Sequence, residues 1–199
     1  MIATTFKFAD LGDEAKLRAI DWYREGVSND WEPSFEFVGK CFELLGIDFD
    51  VSTDVRYSLG YCQGDGAVFS GTWYAKNVNL GELMEYAPRD DVIHNIGARL
   101  MAVVLKYPDG ECGIHTRSTG PGLPYQYVND AFTGRCDSDG QHVDMDDETY
   151  IALHSITGML NGWVYNYVRE DLEHQTSNES CIAGIESMDY DFDEDGKPV

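Results

Sequence analysis

Positive charge is what this chain has least of. Lys and Arg number 14 among 199 residues, against 36 Asp and Glu, for a formal net charge of −22. A surface of that sign repels nucleic acid and anionic membrane, so direct binding to either is not expected. Long apolar runs are missing too, and none approaches the roughly 20 residues of a membrane span. The opening "MIATTFKFADLGDEAK" has neither the basic start nor the apolar core of a secretion signal, so a cytoplasmic protein is expected. Cysteine never occurs as CxxC. Cys41, Cys62, Cys112, Cys136 and Cys181 stand singly and are odd in number. That usage argues against a disulfide frame or a zinc site and fits reduced thiols, buried as small hydrophobes.

Several chemical signatures are absent as well. There is no GxSxG elbow, and His94, His115, His142, His154 and His174 show no HxH or HExxH spacing. Two acidic loops approach a calcium loop and fall short. "DFDEDG" sets Asp191, Asp193, Asp195 and Gly196 like its opening half, with no glutamate at the twelfth position. "DSDGQHVDMDDE" has Glu148 twelfth from Asp137, but Gln141 is fifth and His142 replaces the sixth-position glycine. Neither a metal nor a cofactor is expected.

What is present is a globular composition, 43% apolar and 13% aromatic. The length suits a single domain over residues 1–199 with a real core. Its acidic segment from about 189 to 199 reads as a flexible end, although Phe192 within it offers an aromatic anchor. "LGDEAKLRAIDWYREGV" predicts a helix with Ala15, Ala19, Trp22 and Tyr23 near one face. Ser34 after Pro33 reads as the N-cap of a second, with Phe35, Val38, Phe42 and Leu45 at helical spacing and Gly46 as its stop. "IDFDVSTDVRYSLGY" and "AVFSGTWYA" read as strands, "NLGELMEYA" as a short helix, and "DVIHNIGARLMAVVLKY" as a longer one with Val92, Ile96, Leu100 and Val103 inward. Strands follow in "ECGIHTRS" and "YQYVNDAFTG". The longest helix runs from about 148 to 176, with Leu153, Ile156, Leu160, Trp163 and Tyr167 along it, and a short one closes near 179–188. The order predicts an α+β fold, an antiparallel sheet packed by several helices with a long C-terminal helix.

The acids concentrate late. From Asp137 to Val199 there are 16 against two bases, Arg169 and Lys197. Asp144, Asp146, Asp147 and Glu148 form one cluster; Asp189, Asp191, Asp193, Glu194 and Asp195 form another. Such charge serves solubility alone, or it faces a basic protein that otherwise grips nucleic acid through Lys and Arg. In "CQGDGAVFSGTW", Gly64 and Gly66 flank Asp65 after Gln63. No helix follows to hold a phosphate, so the chemistry favours a hairpin turn over a catalytic loop. "HTRS" puts His115 and Arg117 on one face of a strand, where the pair could grip an anion.

The segment "QGDGAVFSG" after an aromatic-rich strand resembles the SQGDGA signature of a family of phage and plasmid proteins. Some of these carry the label "antitoxin of toxin–antitoxin stability system". The long helix "LNGWVYNYVREDLEHQTSNES" and the close "CIAGIESMDYDFDEDG" resemble the same family's ending, as "FADLGDEAKLRAIDWYRE" and "CFELLGI" resemble its layout. Cys62 stands where that signature has serine, and the family supplies no catalytic residue to carry over. The resemblance implies mobile-element biology. The expected function is therefore binding: an acidic phage or mobile-element protein that engages and inhibits a basic host protein, a nucleic-acid-binding defence or toxin component. The means would be charge complementarity or nucleic-acid mimicry. The alternative is a small enzyme or ligand-binding domain around Gln63, Asp65, His115 and Arg117.

Overall fold

The structure, a computed structural model, describes residues 4–27, 32–50, 55–60, 65–117, 126–127 and 145–199. It has an α+β fold whose antiparallel strands pack with helices, the longest of them near the C-terminus. The chain divides into two compact units, Glu32–Val168, and Met1–Trp31 together with Arg169–Val199.

The larger unit is organised on strand β4 (Gly66–Tyr74), which pairs along both edges. One edge is taken by β2 (Ile47–Asp48) opposite Trp73 and Thr72, then by β3 (Val55–Ser58) opposite Phe69 to Gly66. The other edge pairs with β5 (Glu111–Arg117), from Tyr74↔Glu111 to Ser70↔His115, and β6 (Gln126–Tyr127) adds to β5. Gly71 lies where β2 gives way to β3. A Cβ there would come within 2.8 Å of the Asp48 carbonyl oxygen, so only glycine admits that approach.

Helices α2 (Glu32–Leu44), α3 (Leu80–Tyr86), α4 (Asp91–Lys106) and most of α5 (Asp147–Gln175) supply the apolar cover. Phe42, Phe69 and Trp73 are fully buried, and Phe42 meets Phe69 edge-on at 4.8 Å. The Trp73 indole N–H, which would be costly to bury unpaired, donates to the Leu45 carbonyl at 3.1 Å. Asp90 does two jobs at once. One oxygen caps α4 by accepting from the Ile93 N–H (2.9 Å), and the other accepts the Trp163 indole N–H from α5 (2.7 Å).

Two details differ from the sequence reading. Helix α2 begins at Glu32, so Pro33 sits in its first turn, where a missing N–H costs nothing, and Ser34 is a buried helical residue rather than the cap. On α4 the buried row is Ile93, Ile96, Leu100 and Val103, while Val92 is 53% exposed. A three-then-four spacing fits either neighbour, and the cap at Asp90 decides the phase. Cys41 and Cys112 are buried free thiols whose pKa is pushed up to about 12 by burial, as small hydrophobes should be. Cys62 and Cys136 lie outside the described residues.

The smaller unit joins the two ends of the chain. β1 (Phe6–Lys7) pairs antiparallel with β7 (Asp191–Phe192), and α1 (Asp13–Gly26) lies with α6 (Asn178–Ser187) over a core of Phe8, Leu11, Ala15, Ala19, Ile20, Cys181, Ile185 and Phe192. The segment expected to be a flexible end is built into this unit. Phe192 is fully buried and meets Phe8 edge-on at 6.5 Å. Beyond it the chain turns back, Val199 N–H donating to the Asp191 carbonyl at 3.0 Å. Gly196 permits the turn: its φ is +80°, and any Cβ would strike the Ala15 carbonyl oxygen of α1. Arg24 ties α1 to the α5–α6 junction by donating to the Thr176 carbonyl at 2.8 Å and to the Asn178 side chain. Among the described residues no helix is long and apolar enough to cross a membrane.

Truncation of Phe192 to alanine removes the aromatic keystone of this small core, and losses for such buried rings run to roughly 3–5 kcal/mol. Amide hydrogen exchange should show the loss first in α1 and α6, with α4 protection retained.

Candidate functional site

The described end of "CQGDG", Asp65 and Gly66, has a clear geometry. Asp65 lies in the connection between β3 and β4, and one carboxylate oxygen accepts both the Ser58 hydroxyl (3.0 Å) and the Gly60 N–H (2.9 Å). Gly66 is the first residue of β4, buried and paired with Ser58. Its backbone is extended, and the positive-φ glycines among the described residues are Gly46 and Gly196. The described part of the motif is thus the end of a hairpin connection held by its own acid, and Gly66 does not serve a left-handed turn. Gln63 and Gly64 lie outside the described residues.

His115 is exposed on β5, directly across from Ser70 on β4, and the Ser70 hydroxyl is 2.7 Å from His115 Nδ1. Sequence reading missed Ser70, because only the register of two strands 45 residues apart brings it there. Thr116 points the other way and is buried. Its hydroxyl accepts from the Phe69 N–H (2.7 Å) and donates to the Phe69 carbonyl (2.8 Å), standing in for a rung of the ladder. Arg117 follows His115 by two residues at the end of β5, which puts its position on the same face as His115. Asp65 belongs to the turn at the far end of the β3–β4 pairing. No hydrogen bond or ion pair among the described residues joins it to His115.

The acidic clusters prove to be partly internal. Asp146 caps α5 by accepting from the Thr149 N–H (2.9 Å), accepts the Tyr107 hydroxyl (2.7 Å), and is bridged by the Lys106 ammonium (2.5 Å). The Lys106 ammonium first, then these two donors, hold its carboxyl well below the usual carboxylate range. Asp147 and Glu148 occupy the exposed first turn of the same helix, where the helix dipole favours them. Asp144 lies outside the described residues. In the second cluster, Lys7 bridges both Asp189 (3.0 Å) and Asp191 (2.9 Å), and Arg18 donates to the Asp195 carbonyl at 2.6 Å. Asp193 accepts from the N–H groups of Asp195 and Lys197 at 2.9 Å each, which closes the final turn. Glu194 is exposed at its tip. Among the described acids of the two clusters, Asp147, Glu148 and Glu194 face outward, Asp189, Asp191 and Asp195 are exposed but bridged by Lys7 or Arg18, and Asp146 and Asp193 are structural.

The lowered pKa of Asp146 implies a defined pH dependence. A folded pKa below the unfolded value contributes stability above about 3.9, and that contribution fades as pH falls toward the folded value. Asp146→Asn should lower the melting temperature at neutral pH, and the gap to the wild type should close on acidification below that range. A gap constant across the titration would mean the charge contributes nothing. For the turn, Asp65→Ala should cost roughly 1.5–3 kcal/mol, as for other hydrogen bonds to a charged acceptor, in a urea titration.

No curated protein and no solved structure matches the chain. A family model does, over residues 31–178. That span opens where the larger unit opens, takes in the whole of α5, and stops at the first residue of α6. The chain therefore belongs to the family described as Domain of unknown function (DUF8835).

Proposed function

We propose that this chain is an acidic interaction protein of phage or mobile-element type, which binds and inhibits a basic, nucleic-acid-binding host protein such as a defence or toxin component. An antitoxin that neutralises a cognate toxin is the near variant. The observation that carries the reading is an imbalance of 36 acids over 14 bases, with exposed carboxylates mounted on ordered elements. Asp147 and Glu148 ride on the first turn of a 29-residue helix, and Glu194 on a turn closed by Asp193. Carboxylates held in place lose little conformational freedom on binding, which is what a competitor for a phosphate-binding groove requires.

A second reading, a small enzyme or ligand-binding domain, draws support from the Ser70–His115 pair alone. A hydroxyl within hydrogen-bond reach of an imidazole is the first element of a nucleophile and its base. Labelling of Ser70 by a serine-directed phosphonylating probe, abolished in His115→Ala, would favour it over the binding reading.

The charge reading is checked with a basic host protein captured on the full chain. Affinity should fall by about tenfold between roughly 50 and 300 mM salt, because close charge attraction is screened. The combination Asp147→Asn, Glu148→Gln and Glu194→Gln should weaken binding and flatten the salt slope while leaving the fold standing, with only the small loss of stability expected from two helix N-terminal charges. Salt-insensitive binding, or full affinity after neutralisation, would sink the idea and leave the charge as solubility.

A further inference from the structure

Within the smaller unit, the end of α1 and the residues after α6 enclose a cavity of about 250 Å³, lined by Trp22, Tyr23, Gly26, Val27, Met188 and Tyr190. Drug-sized ligands occupy sites of roughly 300–1,000 Å³, so this one suits a single side chain. Its aromatic walls stand steeply to one another. Trp22 and Tyr190 cross at 89° with centroids 5.2 Å apart, and Tyr23 is inclined at 66° to each. Rings so inclined pack edge to face in an aromatic corner, and all three belong to the lining. Asp189 makes the second wall possible. Its φ of +53° turns the chain between Met188 and Tyr190, and both neighbours line the cavity. At the opposite wall Gly26 adds no side chain, and nothing lies within 4 Å of where its Cβ would be.

Three facts choose the occupant. The unit carries 16 acids against six bases, so its field favours a cation. Carboxylates adjoin both walls in sequence: Glu25 precedes Gly26, and Asp189 separates Met188 from Tyr190 with a side chain 82% exposed beyond its contact with Lys7. The cation–ring contacts among the described residues lie elsewhere, at Lys16–Phe8, Lys76–Tyr74 and Lys106–Tyr107. A guanidinium stacks on Trp and Tyr faces and forks onto a carboxylate, where an ammonium acts as a point charge.

We infer that this aromatic corner is a receptor for an arginine side chain of the basic protein partner, an inference that rests on the binding function proposed above. The acidic surface attracts the partner, and the corner seats one of its arginines.

The test uses the full chain and three short capped peptides, Gly-Arg-Gly, Gly-Lys-Gly and Gly-citrulline-Gly. Citrulline keeps the shape of arginine without its charge. Titration followed by NMR at the Trp22 indole N–H and the Gly26 amide should give a saturable shift with the arginine peptide. The citrulline peptide should bind at least about fivefold more weakly, and the lysine peptide should fall between them. Gly26→Met places an uncharged side chain into open space and should cut arginine binding by at least the same factor, with the melting temperature and circular dichroism unchanged. Equal binding of arginine and citrulline, or unaltered binding in a folded Gly26→Met protein, would overturn the inference. A host partner that binds Gly26→Met at wild-type affinity, yet is lost on neutralising Asp147, Glu148 and Glu194, would overturn the pocket and leave the acidic-surface reading standing. Arginine-selective peptide binding with no basic partner captured would do the reverse.

Discussion

Carboxylate self-repulsion is the constraint that this structure is organised around. Fourteen bases cannot neutralise 36 acids, and compaction brings like charges together at a cost. The chain meets the difficulty by assigning its acids neutral donors. Asp65 is held by an N–H and a hydroxyl, Asp90 by an N–H and an indole, and Asp193 by two N–H groups. Each of these contacts stabilises a negative charge without consuming a cation, and each also fixes a backbone junction. A hairpin, the start of a helix and the final turn are all closed this way. The scarce cations add to these contacts where acids gather. Lys7 bridges two acids beside the β1–β7 pairing, and its own pKa is raised by Asp191 and then Asp189. Lys106 joins Tyr107 at the head of α5.

The same division explains which parts of the molecule were legible from sequence. Helices showed through because their apolar residues repeat with the helical period, and α1, α4, α5 and α6 lie where that period placed them. The exceptions were matters of phase and start. Val92 and Ile93 are both apolar, and only the cap at Asp90 says which faces in. Strand order was out of reach, since pairing of Ser70 with His115 depends on a register set by the intervening helices. The acids were the hardest to read. Asp146 looks like surface charge in sequence, because the hydroxyl that claims it comes from Tyr107, 39 residues earlier. Phe192 was legible as an anchor because a phenylalanine among acids, with no polar group of its own, has no other evident use.

Separating structural from outward-facing acids changes how the charge should be understood. The net charge of −22 does not say which carboxylates a partner can reach, since several accept internal hydrogen bonds that fix their positions. What remains outward sits on elements whose geometry those internal contacts hold. Neutralising the structural acids would therefore test folding rather than recognition. The two classes lie next to one another in sequence, as Asp146 does beside Asp147 and Asp193 beside Glu194. Deleting a whole cluster would therefore confound the two effects.

The extent of the family match adds a further step. It covers residues 31–178, so α1, α6 and β7 fall almost wholly outside it, together with every residue that lines the aromatic corner. The matched portion carries the β4-centred sheet and all of α5, along with Asp65, His115, Asp147 and Glu148. What the family has in common should then be sought on the larger unit. The corner formed by Trp22, Tyr23 and Tyr190 belongs instead to the smaller unit made of both chain ends, closed by Phe192 and the β1–β7 pairing. Its aromatic walls come from two short segments, residues 22–27 and 188–190.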